Sequence, residues 1–166
     1  MIIGIVAVDQ NWAIGKNNDL LYKIKLDMQH FRKQTANAIV VCGRKTLESF
    51  PNKQPLKGRS TIVLCSKEYD FQDCICVHTF EKLLKLLTIL SITTDIYIIG
   101  GGQLYQAMLP YYDKVLVTKI AAQDSLATVF FPNLDERSDF VIKDQRTEID
   151  NDSGYTLQFI TYEKEK

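Results

Sequence analysis

The sequence predicts an α/β protein: a mixed, mainly parallel central sheet with flanking helices, closed by a C-terminal antiparallel hairpin. Three observations lead there. Short apolar runs rich in β-branched residues recur along the chain, and such runs suit strands buried on both faces of a parallel sheet. Stretches of helical character lie between them, the alternation that builds right-handed crossovers. The last segment changes character: two stretches that alternate in polarity flank a turn, the mark of an antiparallel pair.

In order, "IIGIVAV" (2–8) reads as a buried strand. It has no basic leader and turns polar at Asp9, so it is not read as a signal peptide. A helix is expected over 25–35. Within it, with Ile24, the residues Asp27, Met28 and Phe31 fall at i, i+3, i+4 and i+7 and share one face. A carboxylate in an apolar stripe is costly unless something meets it or the helix rolls it toward water. Next come "AIVVC" (38–42), a short helix after Gly43, "STIVLC" (60–65) and "CICV" (74–77). A helix "FEKLLKLLTIL" (80–90), a strand "DIYIIG" (95–100), a helix "GQLYQAML" (102–109) and a strand "KVLVTKI" (114–120) follow. The hairpin pairs "FVIKDQRTEI" with "YTLQFITYEK" around Asp150 to Gly154. No repeat or linker divides the 166 residues, so one domain over 1–166 is expected.

Net charge is zero, which speaks against a nucleic-acid or membrane-surface role. No run is long enough to span a membrane. The charge is uneven, with 13 Lys and Arg against 8 Asp and Glu in residues 1–85. Six basic residues and one acid lie between Gly43 and Lys67, either a solvated flank or an anion site. Two histidines at no ligand spacing leave no metal site expected. Both His30 and His78 are expected at the surface. Cys42 and Cys65 read as small core residues, and Cys74 and Cys76 as pointing to opposite faces of their strand. A reduced, cytoplasmic setting and a monomer are the expectation.

Ligands of such sheets bind where strands end. Gly100-Gly101-Gly102 follows one strand, Gly43-Arg44-Lys45-Thr46 another, and Ser66-Lys67 a third. Glycines let a ligand approach the backbone, and the helix starts offer free N–H groups. Three such exits, two of them basic, suggest a nucleotide with more than one phosphate. Neither G-x-G-x-x-G nor the P-loop is present.

Seven segments together resemble dihydrofolate reductase: "GIVAVDQNWAIGKNNDL", "LDMQHFR", "VVCGRKTLESF", "PLKGR", "YIIGGGQLY", "VTKI" and "FFP". They stand in the family's order along the whole chain. The resemblance implies that Asp27 is catalytic and faces the pterin of dihydrofolate, where a carboxylate and an amidine-like edge pair as a two-bond fork. It implies pocket walls of Ile5, Leu20, Met28, Phe31, Leu56 and Ile99, with Tyr22 near the pterin, Thr118 holding Asp27 and Arg59 gripping the substrate's α-carboxylate. It further implies NADPH: Gly43, Arg44, Lys45 and Thr46 at the phosphates and Ser66 at the 2′-phosphate. Gly100, Gly101 and Gly102, with a cis peptide at Gly100-Gly101, would meet the nicotinamide half beside Gln103, Leu104 and Tyr105. Ala7 and Ile14 would hold the carboxamide.

The chain departs from the family pattern at Leu21-Tyr22, Lys25, Gln103 and Ala127-Thr128-Val129. The first two replace prolines and free the loop at 9–24. The last removes the Asp that commonly fastens a neighbouring loop, and Gln103 removes a charge near the 2′-phosphate. A pyrimidine reductase of riboflavin synthesis and a non-catalytic nucleotide-binding module are the alternatives. Asp27 among apolar neighbours, with Arg59, fits a pterin-glutamate better than a ribitol phosphate.

Overall fold

The computed structural model describes residues 1–16 and 19–166, so part of the loop at 9–24 lies outside the described residues. In chain order the elements begin with β1 (Ile2–Val8), β2 (Ala13–Lys16), β3 (Asp19–Leu20), α1 (Lys25–Thr35) and β4 (Ile39–Gly43). Then come α2 (Arg44–Glu48), β5 (Ser60–Leu64), β6 (Cys74–Val77), α3 (Phe80–Leu90) and β7 (Ile96–Ile98). The chain closes with α4 (Gly102–Met108), β8 (Lys114–Ile120), β9 (Val129–Phe130), β10 (Phe140–Ile149) and β11 (Thr156–Lys164).

Eight strands form one sheet in the order β10-β11-β8-β1-β7-β4-β5-β6. From β8 to β6 every pairing is parallel, while β11 runs antiparallel to β8 and β10 to β11. The predicted mixed sheet and its hairpin are therefore present.

Alternation along β1 assigns the two faces. Val6 and Val8 join Leu83 and Leu87 of α3 and Leu104 and Met108 of α4, while Ile3 and Ile5 meet Phe31 of α1. Burying large aliphatic side chains of this kind contributes about 1.5–3 kcal/mol each. Helix α3 starts on Thr79, whose side chain accepts from the Lys82 N–H at 3.2 Å. Helix α1 has no such cap of its own. Asp150, in the hairpin turn, reaches across to accept from the Leu26 N–H at 3.3 Å.

Three expectations need correction. Cys74 and Cys76 share a face, because side chains two residues apart on a strand point the same way. Both pack with Cys42, Val63 and Cys65, and Ile75 between them is exposed. His30 is only partly exposed, its ring 4.5 Å from that of Phe159 in β11. His78 is also partly covered, with Nδ1 3.0 Å from the Cys65 carbonyl oxygen. A second sheet, β3-β2-β9, is additional to the predicted elements and ties residues 13–16 to 19–20 and to 129–130. Among the described residues no helix is long and apolar enough to cross a membrane.

Candidate active site

Strands β1, β8, β7, β4, β5 and β6 all point one way, so their last residues line one edge of the sheet. On the α1 side of that edge Ile5, Phe31 and Ile99 belong to one apolar cluster. Ala7 and Tyr22 lie in the adjoining cluster around Ile24. Thr118 pairs with Ala7 across the β1–β8 ladder and is almost wholly buried. Asp27 faces this region. Burial raises its pKa above the usual carboxylate value, and a hydrogen bond with the Thr118 hydroxyl works against the shift. Its charge also bears on Tyr105, pushing the phenol pKa up, although burial is the larger cause there.

Arg59 is brought to the far end of α1. Its Nε donates to Thr35 Oγ1 at 2.9 Å, its Nη1 to the Lys57 carbonyl at 2.7 Å, and its guanidinium carbon lies 5.8 Å from the centre of the Phe31 ring. Burial, and after it the neighbouring Arg32, disfavours its charge, so an anion placed there is welcome. Leu56 is half-buried beside this loop, whereas Leu20 and Met28 are 63% and 46% exposed. Those two apolar side chains close no wall by themselves.

On the nucleotide side the exits of β4 and β7 touch. The Gly43 N–H donates to the Gly100 carbonyl at 2.8 Å, and a Cβ on Gly101 would lie 3.3 Å from Thr46 Oγ1. The peptide between Gly100 and Gly101 is cis. Gly100 has φ +120°, and a Cβ there would meet the Tyr105 ring at 3.3 Å, so only glycine suits the position. Tyr105 is buried, its hydroxyl donating to the Ile5 carbonyl at 2.7 Å. Leu104 is a core side chain, so it can offer a ligand only its backbone; Gln103 and Lys45 are exposed. Arg44 is not a free cation: Nη1 donates to Glu48 at 2.9 Å, and the guanidinium lies 4.5 Å from the centre of the Tyr69 ring. Ser66 is exposed, its hydroxyl hydrogen-bonded to Glu68 and holding that carboxyl below its usual pKa.

A model of the dihydrofolate reductase family matches residues 1–164. The chain belongs to the dihydrofolate reductase family. The dihydrofolate reductase of Bacillus subtilis (strain 168) is 35% identical over 165 residues, covering 99% of this chain and 95% of that one. That of Staphylococcus haemolyticus is 32% identical over 162 residues, covering 96% and 93%. Among solved structures, the Enterococcus faecalis dihydrofolate reductase complexed with NADP(H) and RAB-propyl superposes with a TM-score of 0.87 at 24% identity, over 100% of this chain and 97% of that one. The family's members are oxidoreductases, and the fold here is theirs.

The sequence alone assigns no role to Asp9 and marks Val129 only within the Ala127-Thr128-Val129 departure. Val129 sits against Gly102, where an added Cβ would collide with its Cγ1 and would lie 4.0 Å from Ile14 Cδ1. Asp9 was legible only as the first polar residue after an apolar run. A concavity of about 500 Å³ lies at the opposite end of the strands, lined by Asn37, Asp95 and Tyr97 among others; it borders the Arg59 loop, where the Asn37 N–H donates to the Gly58 carbonyl at 2.9 Å, and none of its lining belongs to the glycine cradle.

Proposed function

We propose that the protein reduces 7,8-dihydrofolate to 5,6,7,8-tetrahydrofolate with NADPH, by hydride transfer to pterin C6 and protonation at N5, and so supplies one-carbon metabolism. The observation that carries this reading is Asp27, a carboxylate drawn toward its neutral form beside Thr118 at the edge of an apolar cluster. Family membership and relatives named dihydrofolate reductase support it.

Asp27 accepts hydrogen bonds from pterin N3–H and the 2-amino group, a charge-assisted fork that fixes the ring's orientation. It does not deliver the proton to N5. It biases the pterin's protonation and tautomer, and water carries the proton in. Ile5, Phe31, Leu56 and Ile99 flank the ring and the benzoyl group, and Tyr22 orders a water near the pterin. Exposed Leu20 and Met28 are the apolar area that substrate binding would cover. Arg59, held by Thr35 and the Lys57 carbonyl, takes the α-carboxylate of the glutamate.

NADPH fits the glycine cradle, where backbone and the Thr46 hydroxyl stand open because no side chain intervenes at Gly43 or Gly101. When bound it supplies the hydride. Gly43, Arg44, Lys45 and Thr46 hold its phosphates, with Ser66 at the 2′-phosphate. Ala7 and Ile14 hold the carboxamide, while Gly100, Gly101, Gly102 and Tyr105 border the nicotinamide. Gln103 and the Leu104 backbone complete that edge. The test is loss of NADPH absorbance on adding dihydrofolate to the purified protein. No loss, or a loss independent of dihydrofolate, would sink this function.

A further inference from the structure

Asp9 is a carboxylate with 0% of its surface exposed. Among the described residues no Lys or Arg pairs with it. Its Oδ1 accepts from the Asn11 N–H at 2.8 Å and the Ala13 N–H at 2.9 Å, and its Oδ2 accepts from the Asp124 N–H at 3.2 Å. A buried charge survives only when such bonds replace its hydration. Two of these bonds would be enough to cap the turn that follows β1. The third comes from a segment 115 residues away, and turn formation does not explain it.

That third bond joins two segments that meet at the candidate nicotinamide edge. Around it the Gln10 N–H donates to Ala122 at 3.0 Å, the Thr128 N–H to Gly15 at 3.1 Å and the Phe131 N–H to Trp12 at 2.8 Å. On the solvent side Lys16 pairs with Asp124 at 3.2 Å. Between these ties Ile14 and Val129 are set against Gly102. Among the described residues the carboxylates in these ties are Asp9, from the β1 exit, and Asp124.

We propose that Asp9 is a positioning residue for the cofactor: its two oxygens lock the 9–14 turn to the 122–131 segment and so hold Ile14 where the nicotinamide carboxamide binds. This rests on the NADPH reading above. Asp9 touches neither ligand, and its effect should fall on the cofactor and leave the substrate side alone.

Asp9→Asn separates this role from turn capping. The amide oxygen keeps the Asn11 and Ala13 bonds, while the new NH2 faces the Asp124 N–H, donor against donor. Asp9→Ser is the second variant, because a serine oxygen caps the same turn and is too short to span to Asp124. Trp12, the single tryptophan, lies in the turn itself, so its quenching by NADPH reads binding without turnover. We expect the NADPH dissociation constant to rise roughly three- to tenfold in both variants, as for loss of one buried charge-assisted bond. The KM for dihydrofolate should stay within about twofold, while the melting temperature should fall by a few degrees because the Asp124 N–H loses its acceptor. Unchanged NADPH affinity, equal weakening of both ligands, or failure of both variants to fold would each overturn the role. A parent protein that neither quenches with NADPH nor oxidises it with dihydrofolate would instead sink the proposed function.

Discussion

An ionised Asp27 works against the fold. Its pKa is raised in the folded protein, chiefly by burial. Below the free-Asp value of about 3.9 the group is neutral folded and unfolded, and costs nothing. As pH climbs toward the folded-state value the unfolded chain ionises first, and stability falls until the folded group ionises too. The full cost is then present at neutral pH. Asp27→Asn removes it, so we expect a higher melting temperature than the parent at pH 7 and a gain that shrinks toward acid. Thermal melts across pH read this directly, and a gain that grows in acid would reverse the sign of the shift. The same variant should lose most dihydrofolate reduction at neutral pH and recover part of it in acid, where substrate arrives protonated. Arg59 gives a second prediction. Its Nε and Nη1 are spent on Thr35 and Lys57, so the rest of the fork is what an α-carboxylate can use. Arg59→Leu should cost about 1.5–3 kcal/mol of dihydrofolate binding and almost nothing for a pterin lacking the glutamate. Equal losses would show that it acts through α1.

Between the residue and the molecule stand the elements, and they were unevenly legible. Helix α3 declared itself by Leu83 and Leu87 at i and i+4, and β1, β4 and β8 by short apolar runs rich in β-branched residues. Strands β2, β3 and β9 span two to four residues, too short to set up a period, and exist because they pair with one another. Helix α1 carried no capping signal of its own, since its cap is Asp150 from the hairpin. In the candidate site the glycine exits and Asp27 were readable because residue type alone limits them. The engagement of Arg44 by Glu48 and the role of Asp9 were not, because both depend on which segments meet in space. The contact of β9 with α4 is testable. Gly102→Ala drives a methyl into Val129 Cγ1, and overpacking of this kind typically costs about 1–3 kcal/mol. We expect lower stability and weaker NADPH binding, with both restored in part by adding Val129→Ala. A double variant as unstable as Gly102→Ala would place the strain elsewhere.

At the scale of the whole molecule, the candidate cofactor residues run from Ala7 to Tyr105 and leave the last third of the chain without one. That third is β8, β9 and the β10–β11 hairpin, and it could in principle melt separately. Two connections argue against this. β8 pairs with β1 from Ile3–Lys114 to Val8–Lys119, and β11 continues the same sheet from Leu157–Ile120 to Glu163–Lys114. Asp150 of the hairpin turn caps the helix that carries Asp27. We therefore expect residues 1–166 to unfold as one domain, with calorimetric and van't Hoff enthalpies equal. NADPH at a hundred times its dissociation constant should stabilise that single unit by about 2.7 kcal/mol. For a chain of this length the transition should then move up by roughly 5–10 °C, carrying the hairpin with it. Differential scanning calorimetry with and without NADPH makes the measurement. Two transitions, of which only one moves with NADPH, would show that the hairpin unit stands apart from the nucleotide-binding part.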